Sequence, residues 1–269
     1  LDSFVDTHCH LNFNLFDADL DQVFARAAQA GVERMLLPGI DLETSRQVVQ
    51  LCEQHPNCSA AVGVHPNDAL TWDAQTLPAL RDLCQHPSVV AIGEIGLDYY
   101  WHKAPPDVQQ RILRLQLELA VEMSKPVIIH SRQSLADLWP MLQNWQQELA
   151  HQGGSLVGRC GVLHSYDGDL ATALTALEHG FQIGIGGPVT FKNALQKQAL
   201  VQALPLEGLL LETDAPFLAP QPMRGRRNEP ANIPVIAEKI AQLHTQPLAK
   251  VAQITTRSAE RLLGWRLDR

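Results

Sequence analysis

Eight times along the chain a short run of apolar, β-favouring residues gives way to a stretch whose apolar residues recur at helical spacing. No other feature constrains the fold as tightly. The runs begin at Phe4-Val5-Asp6-Thr7-His8-Cys9-His10 and continue over 33–39, Cys58–Val64, Val89–Glu94, Pro126–His130, Gly161–His164, Phe181–Gly186 and Leu209–Asp214. Between them the period lengthens from two to about 3.6 residues. Leu20, Val23, Phe24, Ala27 and Ala28 share one helical face, with Asp17 and Asp19 as candidate caps and Gly31 as a stop. Asp41 opens a second helix that ends at His55-Pro56, and Val108, Ile112, Leu115 and Leu119 mark a long one after Pro105-Pro106. Asn193 is read as the cap of a helix reaching Leu204-Pro205, and the tail over 231–264 carries two or three more helical segments.

Strand and helix in strict alternation make parallel β–α units, and eight of them close naturally into a (β/α)8 TIM barrel. An open doubly wound sheet is the competing arrangement. It calls for a glycine-rich phosphate loop after the first strand, where this chain has His8-Cys9-His10. No low-complexity linker interrupts the pattern, so residues 1–269 are expected to form a single barrel domain.

The formal charge of -8 excludes a generally basic nucleic-acid coat or a polybasic membrane anchor. An anionic substrate has to be held locally, by metals or a few arginines. The five cysteines (Cys9, Cys52, Cys58, Cys84 and Cys160) contain no C-x-x-C pair and suit reduced thiols better than a disulfide framework. With no apolar run near the ~20 residues that span a bilayer, a cytoplasmic protein without membrane attachment is expected. Nothing in the sequence points to an obligate protein partner.

The strand ends carry the chemistry. His8 and His10 are two residues apart on a strand and so point the same way. The third run leads into His65, the fourth ends at Glu94, the fifth at His130, the sixth at His164 and the eighth at Asp214. Taken singly, each has a bland reading as a satisfied polar residue or a helix-entry acid. In a barrel, however, the carboxyl ends of all strands meet on one face, where catalytic groups sit. The imidazoles of His8, His10, His130 and His164 with the carboxylates of Glu94 and Asp214 exceed what one tetrahedral site needs, so two divalent ions are expected, with Glu94 as the candidate bridge. Imidazole-rich ligation favours Zn, Mn, Ni or Fe, with Mg also open. Asp214 is a candidate both for metal ligation and for taking a proton from water, and His65 for contacting phosphate or protonating a leaving oxygen. Glu212 and Asp6, one layer deeper on the same strand faces, suit supporting roles.

These pieces together resemble the TatD family of metal-dependent deoxyribonucleases, within the amidohydrolase-like TIM barrels, over essentially the whole chain. The matching segments are Phe4–Leu11, Gly63-Val64-His65-Pro66, Gly93-Glu94-Ile95-Gly96-Leu97-Asp98-Tyr99, Pro126–Arg132, Gly161–His164 and Leu211-Glu212-Thr213-Asp214-Ala215-Pro216. The resemblance implies His8, His10, Glu94 and Asp214 around one metal and Glu94, His130 and His164 around the other. It also implies hydrolysis of DNA phosphodiesters, often from the 3′ end, on single strands or DNA ends. One departure is the segment after the eighth strand, Pro222-Met223-Arg224-Gly225-Arg226-Arg227-Asn228-Glu229-Pro230, in which Met223 stands where the family commonly has histidine and Arg226 where it has lysine.

Arg224, Arg226 and Arg227 are the densest basic cluster in an acidic chain and form a candidate phosphate clamp, with a structural ion pair to Glu229 as the alternative. Arg132, two residues beyond His130, is better placed for a scissile phosphate. Tyr99, Tyr100 and Trp101 suit either base stacking or cover for the barrel rim. Two other functions share this scaffold: hydrolysis of a small ester, lactone, amide or phosphoester, and metal binding without catalysis.

Overall fold

A computed structural model describes residues 2–266. In chain order its elements are β1 (Phe4–Asp6), α1 (Leu20–Gln29), β2 (Val32–Pro38), α2 (Leu42–Gln54), β3 (Cys58–Val62), α3 (Thr76–Leu83), β4 (Val89–Asp98), α4 (Pro106–Met123), β5 (Val127–Arg132), α5 (Leu135–Gln152), β6 (Gly161–Leu163), α6 (Leu170–Glu178), β7 (Phe181–Ile185), α7 (Leu195–Ala203), β8 (Leu209–Leu211), α8 (Ile233–His244) and α9 (Leu248–Leu263). The strands lie in one eight-stranded sheet in sequential order from β1 to β8. That order, with a helix after each strand, is the (β/α)8 TIM barrel expected from the alternation.

By internal contacts the chain divides into two compact units. The first comprises 1–37, 165–175 and 182–269, and contains the join between the first and last strands. Thr7 N–H donates to Leu211 O at 3.0 Å, Asp214 N–H to His8 O at 2.8 Å and His10 N–H to Ala215 O at 2.7 Å. Asp6, fully buried, reinforces that join: its carboxylate accepts from His8 N–H, from Thr213 N–H and from the Thr213 hydroxyl. Val23 and Ala27 of α1 and Ile236, Ile240, Val251 and Leu262 of the last two helices are buried, as their periodicity requires.

The second unit comprises 38–164 and 176–181 and holds β3 to β6. Two buried glutamines hold its backbone. Gln116 of α4 bonds both polar groups of Val64, and Gln109 accepts from Asp98 N–H while donating to Asp98 O and Ala104 O. Gly96 is required where β4 passes β5: its φ is +146°, and a Cβ there would lie 2.0 Å from the His130 carbonyl oxygen.

Three local expectations change. β4 does not end at Glu94 but runs ten residues to Asp98 and pairs with β5 as far as Asp98 opposite Arg132. Glu94 therefore projects from within the strand. Asn193 is not the cap of α7; Ala194 occupies that position, without a side-chain bond. Asp19 does precede α1, but its carboxylate makes no capping bond and turns to Arg26 and Arg227 instead. Guanidinium bonds outcompete a backbone N–H for a carboxylate. All five cysteines are buried thiols outside any disulfide, and burial pushes that of Cys52 up to about 12 and those of Cys84 and Cys160 to about 11. Among the described residues no helix is long and apolar enough to cross a membrane.

Candidate active site

In the first unit the strand expected to carry His8 and His10 ends earlier, at Asp6. The pair sits in the segment just beyond β1, where the Cys9–Ala215 bridge and the backbone bonds of His8 and His10 to Asp214 and Ala215 hold the chain extended and their Nε2 atoms 3.2 Å apart. Asp214, three residues beyond β8, turns its Oδ1 to within 3.8 Å of His8 Nε2 and 3.6 Å of His10 Nε2. It does so from a left-handed backbone conformation, φ +56°, held by its N–H bond to His8 O. Such strain in a non-glycine residue persists only where the surroundings fix it, and it collects at functional sites. His10 is clamped by Phe13, stacked at 4.7 Å between centroids. Both histidines are buried.

In the second unit Glu94 is the hub. Its Oε1 lies 2.8 Å from His130 Nδ1, 3.2 Å from His164 Nε2 and 3.6 Å from His65 Nε2. Donors on a tetrahedral ion with bonds of ~2.0–2.1 Å lie roughly 3.3 Å from one another. The separations of 3.2–3.8 Å in the first cluster bracket that figure, and those of 2.8 and 3.2 Å from Glu94 to His130 and His164 lie just below it. Imidazole with carboxylate is a borderline-hard set suited to a divalent first-row ion. Each cluster thus fits a metal by chemistry and by spacing, with Glu94, His130 and His164 as the donors of the second.

Asp98 lies in the family-like segment 93–99, but nothing in the sequence marks its role. Its Oδ2 lies 3.1 Å from His130 Nε2, while Oδ1 accepts from Tyr100 N–H and Trp101 N–H. Burial alone would raise this carboxyl, but the His130 bond and the two backbone donors outweigh it and hold it at about 2. An ionised Asp98 fixes a proton on His130 Nε2 and leaves Nδ1 toward Glu94, the carboxylate–histidine arrangement that orients metal-bound imidazoles. For His130 itself, burial disfavours the charged form, but Asp98 and Glu94 outweigh it and the shift is upward.

His65 differs. Its Nδ1 accepts the Asn67 N–H at 3.1 Å, so in the neutral ring the proton sits on Nε2, facing Glu94. Burial first, then the neighbouring His130, pushes His65 down to about 3, keeping it neutral. A ring presenting N–H is a donor, not a ligand.

The supporting acids behave as their strand faces imply. Glu212 accepts the Ser165 N–H next to His164, at 2.5 Å. Burial lifts Asp6 to about 7 against the bonds from Thr213 and His8. The arginine cluster separates into different roles. Arg227 is a structural tie, with NH1 2.7 Å from both Asp19 Oδ1 and the Leu15 carbonyl. The acid partnering it is Asp19, while Glu229 pairs with Arg26 at 2.7 Å. Arg224 is exposed, with its guanidinium 4.5 Å over the Phe191 ring, and Arg226 is exposed. Arg132 is exposed and lies 4.1 Å over the Tyr100 ring. Tyr99 points elsewhere, its hydroxyl bonded to Asp137 and Gln110.

Residues 5–264 match the family model described as TatD related DNase. The chain is 40% identical to the Uncharacterized metal-dependent hydrolase YabD of Bacillus subtilis, over 96% of this chain and 97% of that one. It is 35% identical to the 3'-5' ssDNA/RNA exonuclease TatD of Shigella flexneri, over 96% and 98%. Among solved structures it is similar to the TatD homologue YJJV of Escherichia coli K12, with 32% identity, a TM-score of 0.90 and 98% of both chains covered.

Proposed function

We propose, since the chain belongs to the TatD family of metal-dependent hydrolases, that it hydrolyses phosphodiester bonds of single-stranded DNA from the 3′ end, with two divalent ions. The observation that carries this reading is the pair of histidine–carboxylate clusters, each with donors at metal-ligand spacing. His8, His10 and Asp214 would hold one ion, and Glu94, His130 and His164 the other. When bound, the ions supply Lewis-acid stabilisation of charge on the phosphate and lower the pKa of water. Asp214 takes the proton of the attacking water. His65 offers its Nε2–H to a phosphate oxygen or to the departing 3′ oxygen. Arg132 and Arg224 contribute guanidinium N–H groups for flanking phosphates, bidentate where geometry allows. Five buried thiols, none in a disulfide, suit a reducing, cytoplasmic setting.

The test is a labelled single-stranded oligonucleotide incubated with Mg, Mn or Zn, beside an Asp214→Asn control. Stepwise shortening from the 3′ end, lost in the control, is expected. Intact oligonucleotide under every metal, with turnover of lactones or small phosphoesters, would reassign the chain to small-ester hydrolysis.

A further inference from the structure

Beyond the metal ligands, the second unit carries an aromatic feature that core packing does not account for. Tyr100 and Trp101, immediately after β4, are 43% and 55% exposed. No other Tyr or Trp among the described residues stands as open. A run that merely covered the core would bury these rings. Instead they meet edge to face, 5.0 Å between centroids at 88°, and the Arg132 guanidinium lies 4.1 Å from the Tyr100 centroid and 5.5 Å from that of Trp101. Arg132 is opposite Asp98 in the β4–β5 register, and its guanidinium has no acidic partner among the described residues.

The platform is also held in place. Asp98 Oδ1 accepts the backbone N–H of both Tyr100 and Trp101, at 2.9 and 3.1 Å, while its other oxygen holds His130. One carboxylate thus fixes the aromatic segment relative to a candidate ligand. Exposed, preorganised aromatic faces beside an unpaired guanidinium are the elements that bind unpaired bases, which stack on the rings while the cation meets the backbone.

We infer that Tyr100, Trp101 and Arg132 form a stacking subsite for an unpaired nucleobase of the strand being cleaved. This rests on the nuclease reading and adds a requirement for a base at one position. It also makes duplex a poor substrate, because a paired base cannot leave its stack without cost.

The experiment uses the metal-loaded full chain and oligothymidylates carrying a single abasic site moved stepwise from the 3′ end. In the wild type, one position of the abasic site should raise KM roughly five- to a hundredfold, with kcat little moved. In a Tyr100→Ala/Trp101→Ala variant the KM for the intact strand should rise by a similar factor, and the abasic penalty should vanish. Trp101→Phe should restore most of it. Insensitivity to every abasic position, or a penalty that persists in the double variant, overturns the subsite while cleavage itself upholds the nuclease reading. If no oligonucleotide is cleaved at all, the nuclease reading falls and takes the subsite with it.

Discussion

Asp98 shows how much of this site depends on hydrogen-bond direction rather than on ligand identity. Replacing it with Asn keeps an oxygen for the Tyr100 and Trp101 N–H groups but presents an NH2 to His130 Nε2. The imidazole then has to accept there, which moves its proton to Nδ1, the nitrogen facing Glu94. Asp98→Asn should therefore lower metal affinity by about 10–100-fold without unfolding the chain, as read by metal titration calorimetry beside a thermal melt. Unchanged affinity would remove Asp98 from the metal's support. The ligand candidates were legible in sequence because His, Glu and Asp at the ends of apolar strands have no packing reason to be there. Asp98 was not, since its role lies in two oxygens aimed in different directions, and only three-dimensional geometry contains that. His65 was half legible: its position was evident, but its tautomer depends on the Asn67 N–H.

Elements were read well where periodicity dictated them and poorly where a side chain had a stronger option than the local rule. The loop after β8 illustrates both. Asn228, wholly buried, donates to Thr213 O and Phe217 O and accepts from Glu229 N–H and the Asn232 amide, so it pins the loop that begins at Asp214. The loop's tie to α1 is the Arg227–Asp19–Arg26–Glu229 chain of ion pairs. Hydrogen bonds from Arg227, then Arg26, hold the Asp19 carboxyl well below the usual carboxylate range. A depressed folded pKa means stability that is complete above the unfolded value near pH 4 and is lost as pH falls toward the folded one. An Asp19→Asn chain should accordingly be less stable than wild type in urea at pH 7. The gap between their midpoints should hold to about pH 5 and narrow by pH 3, as Asp19 of the unfolded wild-type chain takes up a proton while the folded carboxylate stays ionised. A gap that stays constant down to pH 3 would mean that charge on Asp19 contributes nothing. The same network explains why Asp19 leaves α1 uncapped, and why one of three neighbouring arginines is structural while Arg224 and Arg226 stay exposed.

At the scale of the molecule the alternation of strand and helix made the barrel legible, because eight β–α units have few ways to bury both faces of a parallel sheet. The length of β4 escaped that reading, since strand residues buried on both faces carry no alternating signal to mark where pairing stops. Charge sets the remaining constraint. With 21 basic and 29 acidic residues the chain repels a polyanion at long range, so the proposed action on a single strand requires affinity from the metals, from stacking and from a few arginines. Each phosphate neutralised on a single strand contributes about -0.7 to the slope of log K against log salt. Engagement of two or three phosphates by Arg132, Arg224 and their neighbours predicts a shallow slope of roughly -1.5 to -2. Stacking is insensitive to salt, while the Arg132 contact is not, so Arg132→Ala should raise KM for the oligonucleotide and flatten the slope by about 0.7. A Tyr100→Ala/Trp101→Ala variant should raise KM with the slope preserved. The two changes, measured as KM between low and moderate salt, separate the cation from the rings at one subsite. If Arg132→Ala leaves the slope where it was, the guanidinium meets no phosphate and serves only to brace Tyr100.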